Sequence, residues 1–126
     1  MSKKLIETKN APEALGPYSQ AVSINGFLFL SGQIGIDPAI GKVVEGGVSE
    51  QTKQIFSNIK NILAEAGRTL DDIIKVTVFL KNMDDFSLVN SIYAEYFTKP
   101  YPARSALQVA KLPLDVDIEI ETIAAL

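Results

Sequence analysis

The eight residues Ile73 to Leu80 constrain the fold of this chain more than any other stretch. Most are β-branched or aromatic, and no Gly or Pro interrupts them, so they read as a strand. Alternation puts Ile74, Val76, Val78 and Leu80 on one face and Ile73, Lys75, Thr77 and Phe79 on the other. Large apolar side chains stand on both faces, so both need cover. A helical stretch lies on either side. Before the strand, Ser49 is the expected N-cap, with Glu50 in the first turn. Ile55, Phe56, Ile59, Ile62, Leu63 and Ala66 then share one helical face, and Gly67 is the expected stop. After the strand, Asn82 or Asp84 can cap a second helix to about Phe97, with Phe86, Val89, Tyr93, Tyr96 and Phe97 inward. Asn90 lies on the border of that stripe, and Pro100 and Pro102 end the helix.

Upstream, Leu5 to Thr8 forms a short first strand. Asn10 to Pro17 is loop, ended by Tyr18. Gln20 to Ile24 and Phe27 to Leu30 are strands joined at Asn25-Gly26, whose residues tolerate the positive φ of a type I′ hairpin turn. Ser31-Gly32-Gln33 reads as a strand end or bulge, where Gly32 lets another group approach the backbone. Ile34 to Gly47 is a turn-rich loop. The order is that of an α/β (α+β) domain spanning 1–126, with both helices on one side of a single sheet. No third helix remains for the other sheet face, so self-association is expected to bury it.

Composition narrows the chemistry. The net charge is -3 and no basic cluster occurs, which leaves no electrostatic footprint for nucleic acid. No Cys and no His are present. Disulfides, thiolate catalysis, Ser-His pairs and imidazole or thiolate metal sites are thereby excluded. No run approaches membrane-spanning length and the N-terminus lacks a secretion signal, so a cytoplasmic location is expected.

The candidate chemistry gathers in Pro102 to Glu121, two strand-like runs joined at Leu112-Pro113-Leu114-Asp115. Pairing of these runs as antiparallel neighbours would bring Arg104 and a carboxylate to one site. Arg104 reads either as a surface salt bridge or as a fork that clamps a carboxylate. Glu119 and Glu121 alternate with Ile118 and Ile120, as on a solvated face. Ile123 and Ala125 share the parity of Glu119, however, so that carboxylate borders apolar surface, where desolvation would raise its pKa and suit it to act as a base. Tyr18 is either an aromatic plug or a site residue. Ser31 has no accompanying base that would make it a nucleophile. Paired-carboxylate glycoside hydrolysis is discounted because Glu119 and Glu121 share one strand. No phosphate loop or dinucleotide fingerprint is present.

Gly16-Pro17-Tyr18-Ser19-Gln20-Ala21, Ser31-Gly32-Gln33-Ile34, Val89-Asn90-Ser91-Ile92-Tyr93, Pro102-Ala103-Arg104-Ser105 and Val109-Ala110-Lys111-Leu112-Pro113 through Ile118-Glu119-Ile120-Glu121 resemble the RidA/YjgF family nearly end to end. The resemblance implies a chorismate-mutase-like fold, a mixed sheet with two helices on one face, and a homotrimer whose sheets meet in a central barrel with sites between subunits. It implies a deaminase of metabolite damage control. Such enzymes hydrolyse 2-imino acids and their enamines, such as 2-iminobutanoate and 2-iminopropanoate, after release from pyridoxal-phosphate enzymes. The implied roles are a carboxylate clamp for Arg104 and a water-activating base for Glu119. Tyr18, Ser31, Gly32, Asn90 and the backbone N–H of Ala106 would line the substrate cleft. No cofactor or metal is implied. Many relatives carry Cys where this chain has Ala106, so a thiol role there is ruled out. The Tyr96 to Pro102 connection is short for the family. The competing reading is a non-enzymatic trimer that binds 2-oxo acids and regulates a partner. RNA cleavage, also linked to the family, is disfavoured by the acidic balance and absent His.

Overall fold

The computed structural model describes residues 2–126. The chain opens with β1 (Lys4–Ile6), β2 (Ala21–Ile24) and β3 (Phe27–Gln33). A two-residue pair, β4 (Ile36–Asp37) and β5 (Lys42–Val43), precedes α1 (Gly47–Glu65). Then follow β6 (Ile73–Leu80), α2 (Phe86–Tyr93), β7 (Ala103–Gln108) and β8 (Ile118–Ala125). Six strands form one sheet in the order β1-β2-β3-β8-β6-β7, while β4 and β5 pair only with each other. The pair β6–β7 is parallel and the other neighbours are antiparallel, so the sheet is mixed.

The strand order overturns the hairpin expected for the last two runs. β6 lies between β7 and β8. The crossover through α2 returns β7 parallel to β6, at the sheet edge. The chain then straddles the end of β6. The Val109 N–H donates to the Leu80 carbonyl at 3.0 Å, and the Lys81 N–H donates to the Asp117 carbonyl at 3.0 Å. The side chains explain the order. Ile118, Ile120 and Ala124 are wholly buried, which suits a central strand, whereas most of β7 is exposed, which suits an edge.

One sheet face, here the inner face, packs on the helices. Leu28, Val76, Val78, Leu80, Ile118 and Ile120 meet Ile55, Phe56, Ile59, Ile62 and Leu63 of α1 with no appreciable exposure. Phe56 stacks on Tyr96 with centroids 4.4 Å apart and meets Tyr93 and Phe97 edge-on, which locks α1 to the α2 region. The outer face has no helix. Val22, Phe29, Ile123, Lys75 and Ala103 stand in register across it. Phe27 and Phe29 remain 42% and 41% exposed there.

Several local expectations shift. Gly46, at φ 110°, is the N-cap of α1, so Ser49 and Glu50 both fall inside the first turn. The second helix is broken: Asn82 caps a 3-10 turn at Met83–Asp85, accepting from the Asp84 N–H, and α2 itself ends at Tyr93. The loop before α1 contains the β4–β5 hairpin. In β6, Ile73 faces Ala124 and Lys75 faces Ile123, so Ile74 is an extra, bulged residue. That bulge puts Ile73 in the core and leaves Ile74 exposed, the reverse of strict alternation. Asn25 and Gly26 do form the turn, at φ 55° and 82°.

Gln20, buried immediately before β2, secures the N-terminal loop. Its amide donates to the Thr8 and Pro12 carbonyls at 3.0 and 2.8 Å, and its Oε1 accepts from the Thr8 N–H at 2.7 Å. Leucine has similar bulk but none of these bonds. Gln20→Leu is therefore expected to lower stability by roughly 2–4 kcal/mol in urea unfolding, the cost of several broken, partly buried hydrogen bonds. A change within about 0.5 kcal/mol, the range of an uninvolved surface site, would refute that anchoring role.

Candidate active site

An acidic half-site forms where β3 bulges. Leu30 faces Thr122 and Gln33 faces Ile120, so Ser31 and Gly32 together occupy the place opposite Glu121. The Glu119 side chain lies against Gly32. A Cβ built on Gly32 would collide with Glu119 Oε2 and come within 2.9 Å of its Cδ. Glycine is thus required here for close approach rather than for a positive φ. Burial holds the Glu119 pKa above its ordinary value, and the neighbouring Glu121 charge adds to the effect. Gly32→Ala is expected to displace the carboxylate. If Glu119 serves as a base, kcat should fall about tenfold or more while ligand affinity changes little, because a 1 Å misplacement is costly in a positioned reaction. Unchanged kcat would show that the Glu119 position is not critical.

Ser31 carries the edge of this half-site. Its N–H donates to the Gln20 carbonyl at 2.9 Å, and its hydroxyl donates to the Ser19 carbonyl at 2.6 Å. These bonds hold the Tyr18–Gln20 segment against β3. Tyr18, 54% exposed, rises beside Ser31. Together with Lys3 and Phe29 they border a surface cleft of about 380 Å³.

A cationic half-site forms at the β7 edge. Arg104 stands beside Val76, in the inner-face row, next to α2. Its guanidinium carbon lies 4.7 Å from the centroid of the Tyr93 ring and 5.2 Å from that of Phe86. Its Nη1 donates to Asn90 Oδ1 at 2.7 Å. Phe86, Asn90 and Tyr93 are spaced i, i+4, i+7, which places them on one face of α2 as a seat for the guanidinium. Among the described residues the ion pairs are Lys53–Glu50 and Lys81–Asp115. Arg104 therefore does not form the surface salt bridge that was one reading of it. Among the described residues Asn90 is the acceptor for its fork, which leaves the remaining N–H groups for an external anion. Ala106 follows on the same face, half-buried against the core.

Within one chain, then, Tyr18, Ser31, Gly32 and Glu119 gather on one side, and Asn90, Arg104 and Ala106 on another. Glu119 stands beside Phe79 in an outer-face row, whereas Arg104 belongs to an inner-face row. Two strand spacings, about 10 Å, also separate their strands. The aromatic seat was not singled out in the sequence, where Phe86 and Tyr93 read as core. Their i, i+7 spacing around Asn90 was the available signal.

Comparison with known proteins decides the family. A family model described as endoribonuclease L-PSP matches residues 8–126. A solved Rid-family protein, YyfA of Yersinia pestis, superposes with a TM-score of 0.96 at 49% identity, covering 99% of this chain and 100% of that one. The chain belongs to the RidA/YjgF family. Among curated relatives of this RidA/YjgF chain, a RutC family protein of Pyrococcus horikoshii is 55% identical over 122 residues, 97% of each chain. A Bos taurus protein named 2-iminobutanoate/2-iminopropanoate deaminase is 49% identical over 122 residues, 97% of this chain and 89% of its own. Among the described residues of this RidA/YjgF protein, no helix is long and apolar enough to cross a membrane.

Proposed function

We propose that this protein hydrolyses 2-imino acids and their enamine tautomers to 2-oxo acids and ammonia, in clefts that a second copy of the chain completes within a homotrimer. The observation that carries the reading is the pair of half-sites. A seated Arg104, exposed and in no ion pair among the described residues, and a half-buried Glu119 lie on opposite sheet faces of one chain. The exposed Phe27, Phe29, Ile74 and Leu107 supply apolar surface that association would bury. The imine deaminase name of the bovine relative points to the same chemistry.

In the proposed reaction Arg104 binds the substrate carboxylate in a two-point contact, and the backbone near Ala106, on an edge strand with free N–H groups, adds to the hold. The imine carbon is thereby presented to one water. Glu119 takes a proton as the water oxygen adds to that carbon. It returns that proton to nitrogen, then takes the hydroxyl proton as the carbonyl forms and ammonia leaves with the carbon–nitrogen electron pair. No group beyond these side chains is asked to supply electrons or charge. The acidic balance and the absence of histidine argue against RNA as the substrate.

The test generates 2-iminobutanoate from threonine with a threonine dehydratase and follows imine loss with and without this protein. Acceleration at catalytic concentrations is expected. Carboxylate binding without acceleration would overturn the hydrolase reading in favour of the oxo acid-binding regulator. Sedimentation should give a particle of three chains of 13.7 kDa each, and a monomer at micromolar concentration would remove the shared cleft.

A further inference from the structure

We infer that Ser31 faces the cleft as a hydrogen-bond acceptor only, and so recognises an N–H on the substrate nitrogen, distinguishing an imine from the oxo acid it becomes. The inference rests on the imine hydrolase reading above and adds to it the polarity of one contact.

A serine residue has two donors, its backbone N–H and its hydroxyl. In Ser31 both are spent inside the chain. The N–H reaches the Gln20 carbonyl at 2.9 Å and the hydroxyl reaches the Ser19 carbonyl at 2.6 Å. The second distance is short for a neutral O–H···O bond. Turning the proton toward a ligand would break that bond and leave the half-buried Ser19 carbonyl without this donor. What Ser31 offers the cleft beside Tyr18 is therefore its lone pairs. The next residue, Gly32, adds no side chain, and the Glu119 carboxylate lying over it is a further acceptor when ionised. Ser31 and the ionised Glu119 both present acceptors here, whereas Tyr18 and Lys3, which border the same cleft as Ser31, carry donors of their own.

Substrate and product share a carbon skeleton and differ at one atom. A protonated imine nitrogen carries two N–H donors, and an enamine nitrogen also donates. The ketone oxygen of a 2-oxo acid can only accept. Placed against Ser31, the imine makes a bond, whereas the ketone sets lone pair against lone pair. The contact thus favours the substrate and releases the product. Ser31 itself neither gains nor loses a proton: the water oxygen adds to carbon, the carbon–nitrogen bond breaks with its electrons on nitrogen, and protons pass through Glu119.

L-alanine and pyruvate are a matched pair of probes, one with an ammonium and one with a ketone beside the same carboxylate. Their affinities for the assembled protein can be measured by titration calorimetry, in wild type, Ser31→Ala and Ser31→Thr. Ser31→Ala is expected to weaken L-alanine about tenfold, the worth of a hydrogen bond to a charged donor, and to leave pyruvate within about twofold. Ser31→Thr keeps the hydroxyl and should restore L-alanine binding. The Ser31 backbone bond to Gln20 survives in both variants, and an unchanged unfolding midpoint checks the fold. Equal loss of both probes would reduce Ser31 to a latch for the Tyr18 segment and overturn the inference. So would a larger loss for pyruvate, no loss for either, or failure of wild type to bind either probe. These titrations need no turnover. Failure of the hydrolase reading would appear separately, as unaccelerated imine loss with wild-type protein.

Discussion

Arg104→Ala should abolish useful imine hydrolysis while leaving the fold intact. Arg104 lies exposed on an edge strand and makes no ion pair among the described residues, so its removal should cost less than about 1 kcal/mol of stability. Its seat is another matter. Asn90 fixes one nitrogen at 2.7 Å, and the Tyr93 and Phe86 rings lie against the guanidinium. A planar cation held this way loses little entropy when it takes a carboxylate in two parallel bonds. Losing half of such a desolvated pair costs roughly 2–5 kcal/mol, or about 30- to several thousand-fold in kcat/KM. Arg104→Lys keeps the charge but loses the fork and the stacking plane, so it should recover only part of that loss. Kinetics of imine disappearance, beside urea unfolding of the same variants, separate the two effects. A wild-type rate in Arg104→Ala would remove the clamp from the mechanism.

Glu119→Gln is expected to lower kcat by about 10²–10⁴-fold, the span usual for a lost general base, and to make the protein more stable at neutral pH. The two effects share a cause. Burial, with Glu121 adding to it, raises the Glu119 pKa above the ordinary 4.5. The folded chain therefore holds this proton more tightly than the unfolded one. The resulting stabilisation is fully present below the unfolded pKa and is lost as pH rises through the folded value. Glutamine escapes that loss. The variant should exceed wild type in stability at pH 7, and the gap should close in acid. Activity runs the other way, because the base must be ionised: the wild-type rate should fall as pH drops through a pKa above 4.5, and the fall should vanish in Glu119→Gln. Unfolding curves at several pH values and a pH–rate profile test both halves. Equal stability with an unchanged acid limb would show that Glu119 is an ordinary surface carboxylate.

Much of the fold was legible because periodicity reports which side of an element is buried. Ile73–Leu80, the inward stripe of α1 and the Asn25-Gly26 turn stand where their patterns put them. Ile74 shows the limit. A bulge adds one residue to one strand, and alternation cannot register it, so Ile73 and Ile74 exchange faces. The start of α1 shows another. Ser49 is a sound cap locally, yet Gly46 adopts a left-handed conformation and starts the helix earlier.

The site residues were legible as types but not as an arrangement. Arg104 and Glu119 carry the chemistry their side chains allow, and the apolar parity of Ile123 and Ala125 already marked Glu119 as a carboxylate at a boundary. Adjacency in sequence suggested a hairpin, and that inference failed, because strand order follows burial and crossover geometry rather than the length of the joining turn. The sequence by itself determined two helices, a sheet with one face left bare, and a chemistry without thiol or imidazole groups. Tertiary structure alone decided that β6 parts the final strands, that a helical stripe seats Arg104, and that Gly32 makes room for Glu119. Those are facts about contacts between distant segments, and no local pattern of residues encodes which distant segment will arrive.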